Sequence, residues 1–330
     1  MKTSHNSHPI TTYMNYVEAN TEGITVRVPS AQVEGRTVII TGKWLKVAVV
    51  KDEDWQEGEV VPAPDDFIAN IRHLENPRAD VFSFSQKLTD PTPHFPFFYE
   101  WDSIAAIPIV SFSDWWNKRV STDLRHDVRR AAKRGVVVRP VSFTGDFVRA
   151  VKEIYDETPI RQGRPFWHYR KGLDAVKAAN ATYLERSEFL GAFCGEELIA
   201  FLKIVYVDQV ARLMQIIAKD AHRDKRPMNA IIAKAVEAAE SKGCSHLTYG
   251  KYRYSQGIDS VTAFKRRNGF EEILVPKYYV PLTSIGKLAL RLQLHHGVKA
   301  LVPGSLLRSL KSMRSSVYSK LQTPGGATSR

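Results

Sequence analysis

Three segments near the middle of the chain constrain its fold more than anything else in it. Residues 188–194, 197–206 and 210–218 are apolar and β-branched, and only two or three residues separate them. Connections that short join antiparallel neighbours, because a parallel return needs a crossover of a dozen residues or more. The stretch therefore specifies a three-stranded meander, with its first turn at Gly195 and Glu196. Pro227 then sits where the first turn of a helix tolerates proline. Ala230, Ala233, Val236 and Ala239 give that helix its apolar stripe, and Gly243 closes it. A strand over 245–249, a helix over 259–267 and short strands over 271–275 and 278–281 complete the pattern. Ahead of the meander the spacing predicts a strand over 136–141, a helix over 144–155 capped by Thr144, a loop over 159–169 and a helix over 173–180.

The N-terminal part reads differently. Residues 1–22 are polar and aperiodic, as expected of a loose arm. Strand-like runs follow over 25–28, 36–41 and 44–50. A helix is expected over 65–74, where Asp65 or Asp66 caps and Phe67, Ile68, Ile71 and Leu74 recur at helical spacing. After a strand over 81–84, Pro91, Pro93 and Pro96 alternate with His94, Phe95, Phe97 and Phe98 and require an extended loop, whose aromatic side chains are expected to plug a lobe interface. Residues 113–134 read as one helix from Ser113 to a stop at Gly135.

At 330 residues the chain exceeds one average domain, and two lobes are expected. Hydrophobic residues at 43% and charged residues at 25% fit a folded, water-facing protein. Cys194 and Cys244 have no CxxC neighbour, the N-terminus lacks an apolar leader, and no run approaches the roughly 20 apolar residues of a membrane span. A cytoplasmic location is the expectation. The net charge of +12 concentrates in two places: residues 118–139, and residues 286–330, which carry Lys287, Arg291, Lys299, Arg308, Lys311, Arg314, Lys320 and Arg330 with no Asp or Glu. Basic segments of this kind attract anionic lipid, RNA or nucleotide phosphates, or form a solvated helix face.

The order of elements from Val136 to Leu282 resembles the GNAT superfamily of acyl-CoA N-acyltransferases. The local match is SVTAFKRRNGFEEI, residues 260–273, in which Gly269 permits a turn and Phe270 anchors the next strand. Phe264-Lys265 ahead of a glycine and an aromatic is also similar to the Fem-type branch, whose members add amino acids to cell-wall precursors and contain two GNAT-like lobes. The resemblance implies an α/β (α+β) fold with a mixed, mainly antiparallel central sheet flanked by helices, preceded by a smaller partial GNAT-like lobe. The implied organisation is an arm over 1–22, an N-terminal lobe over 23–135, the GNAT-like domain over 136–283 and a basic amphipathic tail over 284–330.

The same resemblance implies an acyl-CoA donor, held near Arg223, Lys225, Arg226 and Asn229 with Lys265. The family's pyrophosphate loop is Arg/Gln-x-x-Gly-x-Gly/Ala, whose glycines let backbone N–H groups reach the phosphates. The corresponding residues 222–230 read HRDKRPMNA, with Arg226 and Met228 at the glycine positions. Fem-type proteins lack that glycine pattern too, which keeps an aminoacyl-tRNA donor open. Many GNAT enzymes place a tyrosine where this chain has Lys265; Tyr249, Tyr252 and Tyr254 are the nearby phenols, reached through a splay between the fold's fourth and fifth strands. They act as acid or base, or are strand-end tyrosines held by hydrogen bonds.

Acyl transfer to an amine needs a base and a donor for the carbonyl oxygen. Asp156 and Glu157 end a helix beside IRQGRPFWHY, residues 160–169, and Glu157 is the candidate base. Arg161, Gln162, Arg164, Trp167 and Tyr169 are the candidate acceptor-binding residues, against the alternative that Arg161 merely pairs with Glu157. His168 is the group that would titrate near neutral pH. The ten histidines and two cysteines show no zinc spacing, and adjacent His295 and His296 on a helix would not aim at one ion, so no metal is expected. Glycine-rich phosphate loops and nucleophile elbows are absent. Leu288, Leu290, Leu292 and Leu294 with Lys287 and Arg291, then residues 306–321, suggest basic amphipathic helices for a membrane surface, or faces that pack on the body. The chain therefore reads as an N-acyltransferase acting on an amino group of a sugar, peptide or cell-envelope precursor. The alternatives are a Fem-type aminoacyl-tRNA-dependent transferase and a catalytically inactive GNAT-like binding module.

Overall fold

The computed structural model describes residues 15–21, 24–74, 76–88, 90–161, 163–253 and 260–296. They form two compact units, one from residues up to 102 together with 274–296, the other from 103–273. The boundary between these compact units falls inside the strand Tyr99–Pro108, a stretch to which the sequence pattern assigns no element. No helix among the described residues is long and apolar enough to cross a membrane.

In the first unit the strands Asn15–Thr21, Ile24–Val33, Arg36–Thr41 and Val47–Val50 form an antiparallel meander. Asn15–Thr21 lies within the stretch expected to be a loose arm; it instead pairs with Ile24–Val33 at seven positions. Val47–Val50 then pairs in parallel with Val81–Ser85, and the crossover is the helix Pro64–Arg72. That helix buries Phe67, Ile68 and Ile71 in one cluster with Val38, Ile40, Phe82 and Phe84. Residues 277–281 of the strand Glu271–Pro281 pair antiparallel with Val81–Ser85. Instead of two short strands this is one, since Pro276, which has no N–H to give, still accepts from Gln86 N through its carbonyl at 3.0 Å. Phe95 and Phe97 of the proline-rich loop pack on Phe84 inside this unit, and the Tyr278 hydroxyl accepts from His94 N at 2.9 Å while donating to Gln86 Oε1.

The second unit has sheet order 103–108, His246–Lys251, Val210–Ala218, Glu197–Val207, Ser187–Cys194, Val136–Pro140. The expected meander is its centre. Glu197–Val207 is buried along nearly its whole length, which requires cover on both faces. Leu124 and Ala131 of the helix Thr122–Lys133 join Ile231, Ile232, Ala235 and Val236 of the helix Pro227–Ser241 in one core. Phe147, Val151 and Ile154 of the helix Gly145–Asp156, with Val176 of the helix Leu173–Asn180, meet Phe189 and Phe201 in another. The GNAT-like expectation of a mixed, mainly antiparallel sheet between helices is met.

The helix expected over 113–134 is interrupted. One turn, Phe112–Asp114, passes into a π-helical turn, Trp115–Arg119, before Val120 goes extended and Ser121 Oγ accepts from Leu124 N at 3.2 Å to start Thr122–Lys133. A serine offers this competing bond wherever the chain can turn. The break seats Trp115, wholly buried, against Gly269, whose φ is 77°. A Cβ on Gly269 would stand 2.7 Å from Trp115 Nε1 and 3.3 Å from Val120 Cγ1.

Two outcomes are expected. Gly269→Ala should lower unfolding stability by about 2 kcal/mol or more, read by urea denaturation, since it combines left-handed strain with a clash. Glu53, a buried carboxyl of the first unit, is pushed up to about 7 by burial, partly offset by Lys277 and a bond from Ser85. The folded chain thus holds this proton more tightly than the unfolded one, and stability falls as pH rises from 4.5 to about 7. Glu53→Gln should flatten that decline in melting temperature.

Candidate functional site

The described candidates all lie in the second unit, and several of them adjoin the ends of two neighbouring strands that part. Val210–Ala218 and His246–Lys251 are paired only through Val210–Arg212 and His246–Thr248. Past those three pairs the strands diverge, as the resemblance implied, and the backbone groups along each diverging end need other partners.

On the first arm those partners are Glu157 and Arg161. Glu157 Oε2 accepts from Asp220 N at 2.6 Å and its Oε1 from Ala221 N at 2.9 Å, so the carboxylate caps the 3-10 turn Asp220–Lys225. Arg161 donates to Ala218 O at 2.8 Å, Ile154 O at 3.1 Å and Glu157 Oε2 at 3.2 Å, and its guanidinium lies over the Phe166 ring. Both residues are thereby committed to holding the turn. Gly163, at φ 70°, turns a short hairpin that leaves Arg164 exposed and Trp167 39% exposed; Gln162 lies outside the described residues.

His168 departs from its expected role. Its ring is buried, stacked on Tyr155 at 4.1 Å and tilted against Trp167 at 3.5 Å, and Nδ1 has no hydrogen-bond partner among the described residues. Burial, helped by the Lys171 charge, pushes its pKa down to about 3, so it stays neutral through the physiological range. Tyr169 is half-buried beneath Arg170, whose guanidinium lies 5.2 Å from the ring centroid.

The second arm ends at Tyr249, Lys251 and Tyr252. Lys265 is completely buried; its Nζ donates to Lys251 O and sits 4.6 Å from the Tyr249 ring centroid. Thr262 Oγ1 donates to Tyr252 O at 3.1 Å, and Tyr252 N to Ser103 O at 2.9 Å. Tyr249 is half-buried at the point of divergence, Tyr252 is 9% exposed, and Tyr254 lies outside the described residues.

The turn Asp220–Lys225 leads from the first arm into the helix Pro227–Ser241. Arg226, at one of the positions where the resembling loop has glycine, adopts φ 59°, a left-handed conformation that glycine enters more readily than arginine. Its side chain pairs with Asp127 at 3.2 Å, Arg223 pairs with Asp220 at 3.2 Å, and Lys225 Nζ meets His222 Nδ1 at 2.7 Å. Pro227 removes one backbone donor from the first turn. Asn229 Nδ2 donates to Asn268 Oδ1 at 3.3 Å, tying the helix start to the end of Ser260–Arg267.

One buried cation was not among the sequence candidates. Lys203, inside Glu197–Val207, donates to Asn180 O at 2.9 Å, Thr182 O and Thr182 Oγ1, and burial pushes its pKa down to about 8. A lone lysine in the run ELIAFLKIVYV was the available signal. It neutralises the C-terminal carbonyls of Leu173–Asn180.

No family model matches the sequence, and no curated protein matches it. Solved structures do match its fold. FemX superposes with a TM-score of 0.56 at 11% identity, over 81% of this chain and 88% of FemX. The C-terminal domain of a putative lysylphosphatidylglycerol synthetase from Agrobacterium fabrum gives 0.51 at 14% identity, over 80% and 87%. L-PGS from Bacillus licheniformis gives 0.52 at 14%, over 77% and 83%. The chain has a GNAT/Fem-like fold.

The burial of His168 has a measurable consequence. Its proton affinity is lower in the folded chain than in the unfolded one, so stability is lost as pH falls from about 6.5 toward 3. His168→Phe should keep the stacking and make unfolding midpoints in urea less sensitive to acid across that window. Glu157→Ala, which strips the cap from Asp220–Lys225, should cost about 1 to 2 kcal/mol in the same assay.

Proposed function

We propose that the chain is a Fem-type transferase that moves an aminoacyl group from aminoacyl-tRNA to an amino group of a cell-envelope precursor. The observation that carries this reading is the start of the helix Pro227–Ser241. A coenzyme A pyrophosphate is held there by free backbone amides in the resembling enzymes, but here Pro227 lacks one, and Arg223, Lys225 and Arg226 already have partners. A polynucleotide donor does not depend on that cradle, and the net charge of +12 suits its phosphates. The names of the structural neighbours, FemX and a lysylphosphatidylglycerol synthetase, point the same way.

In the proposed reaction the acceptor amine attacks the ester carbonyl, its surplus proton leaves to a base, and the carbon–oxygen bond to the tRNA ribose breaks as that oxygen takes a proton. The ammonium of Lys265, buried beside the parted strands, is suited to the negative charge of the tetrahedral intermediate. Tyr249 stands beside it as a candidate proton donor, with Tyr252 behind. Arg164, Trp167 and Tyr169 are the proposed acceptor contacts, joined in sequence by Gln162. Glu157 and Arg161 act through the turn they hold.

The helix Ser284–Arg291 supports work at a membrane surface, on the cytoplasmic face. It packs through Gly286 and Ala289 and leaves Ile285, Leu288 and, just beyond, Leu292 more than half exposed beside Lys287 and Arg291. The basic residues 297–330 lie outside the described residues. A second reading, an acyl-CoA N-acyltransferase, is favoured by the left-handed backbone at Arg226, where the resembling loop has glycine.

Both readings are separated by incubating the protein with tRNA charged with labelled amino acids, or with acetyl-CoA, and by calorimetric titration of each. Salt-sensitive tRNA binding and label transfer, reduced at least tenfold by Tyr249→Phe, are expected. Saturable acetyl-CoA binding that disappears in an Arg223→Ala, Arg226→Ala protein would replace the first reading with the second. Cosedimentation with anionic vesicles should weaken several-fold when Ile285, Leu288 and Leu292 are changed to Ser.

A further inference from the structure

Away from these residues, in the first unit, three side chains converge on one point. His295 Nε2 and His296 Nε2 each lie 3.0 Å from the same atom, Glu100 Oε1, and the candidate ligand atoms all fall within 4.8 Å of one another. Adjacent residues on an α-helix point about 100° apart, which was the ground for excluding this pair as ligands. The local chain is not α-helical. Gln293 takes φ 56° after the helix Ser284–Arg291, and Leu294–His296 forms a 3-10 turn that sets the two imidazoles side by side, with centroids 4.1 Å apart.

His295 is fixed before any ligand arrives. Its side chain is 1% exposed, against the ring of Tyr279 at 4.7 Å and edge-on to Phe98 at 6.2 Å. His296 remains 42% exposed, so the cluster is open to solvent on one side.

We propose that Glu100, His295 and His296 form a binding site for a divalent transition-metal ion, Zn2+ by its donor set, through both Nε2 atoms and a carboxylate oxygen. Two imidazoles and one carboxylate are ligands zinc takes when three come from the protein and water holds the fourth position. With bonds of about 2.0–2.1 Å, tetrahedral ligand atoms stand roughly 3.3 Å apart. The nitrogen–oxygen separations need open by only a few tenths of an ångström, which side-chain rotation supplies. The dication would sit where the two Nε2 atoms and Glu100 Oε1 now meet, each neutral imidazole carrying its proton on Nδ1, and the affinity falls as the imidazoles protonate.

The test is titration of the full chain, first stripped with chelator, with Zn2+ by calorimetry and with Co2+ by its visible absorption. One equivalent should bind and raise the melting temperature. His296→Ala, at an exposed position, and Glu100→Gln should each weaken binding at least tenfold with the circular dichroism unchanged. Absence of saturable binding at millimolar metal would overturn the proposal. So would binding unchanged in both variants, which would place the ion on other histidines such as His5 and His8.

Discussion

The parting of Val210–Ala218 from His246–Lys251 after three paired residues is the constraint around which the second unit is arranged. Strand ends that leave a ladder still carry polar backbone groups, and each one left without a partner away from water costs about 1–3 kcal/mol. Here side chains take over the ladder's work. Arg161 serves Ala218 O, Glu157 serves the amides of Asp220 and Ala221, Lys265 serves Lys251 O, and Thr262 serves Tyr252 O. The opening is therefore propped from both sides by a charged residue and a neighbour.

This division of labour separates two kinds of polar residue that look alike in a sequence. Glu157 and Arg161 are drawn together by the helix end and the loop that follows it, and their bonds are all internal. Lys265 is bonded as well, to Lys251 O, and lies wholly buried beside the half-buried ring of Tyr249; these two are the residues proposed to meet the reacting carbonyl. The turn Asp220–Lys225 links the groups. At roughly 2 Å per residue it spans about 12 Å from the Glu157 cap to Arg226, so a change at Glu157 reaches the helix start at Pro227 through the backbone.

Much of the architecture was legible because it rests on local rules. The meander followed from short connections, Thr144 capped its helix by accepting from Phe147 N at 3.3 Å, and Pro227 opened the helix expected of it. What escaped were features set by distant partners. The strand Tyr99–Pro108 carries polar residues at Glu100, Asp102 and Ser103 that mask its pattern, and its place is fixed by pairing with His246–Lys251. The burial of His168 depends on Tyr155 closing over it, thirteen residues earlier in sequence. The convergence of His295 and His296 depends on one left-handed residue, Gln293, a type that gives no warning of that conformation.

The two units are also unequal in how the chain builds them. Among the described residues the second is one continuous stretch, 103–273, whereas the first is interrupted by it and gains the second neighbour of Val81–Ser85 only at residues 277–281. A chain emerging from the ribosome therefore exposes the edge of Val81–Ser85 throughout the synthesis of the second unit. Phe82, Phe84 and their aromatic partners wait for Tyr278 for the whole of that time. Late truncations that spare every residue of the second unit would still leave that edge open to other chains.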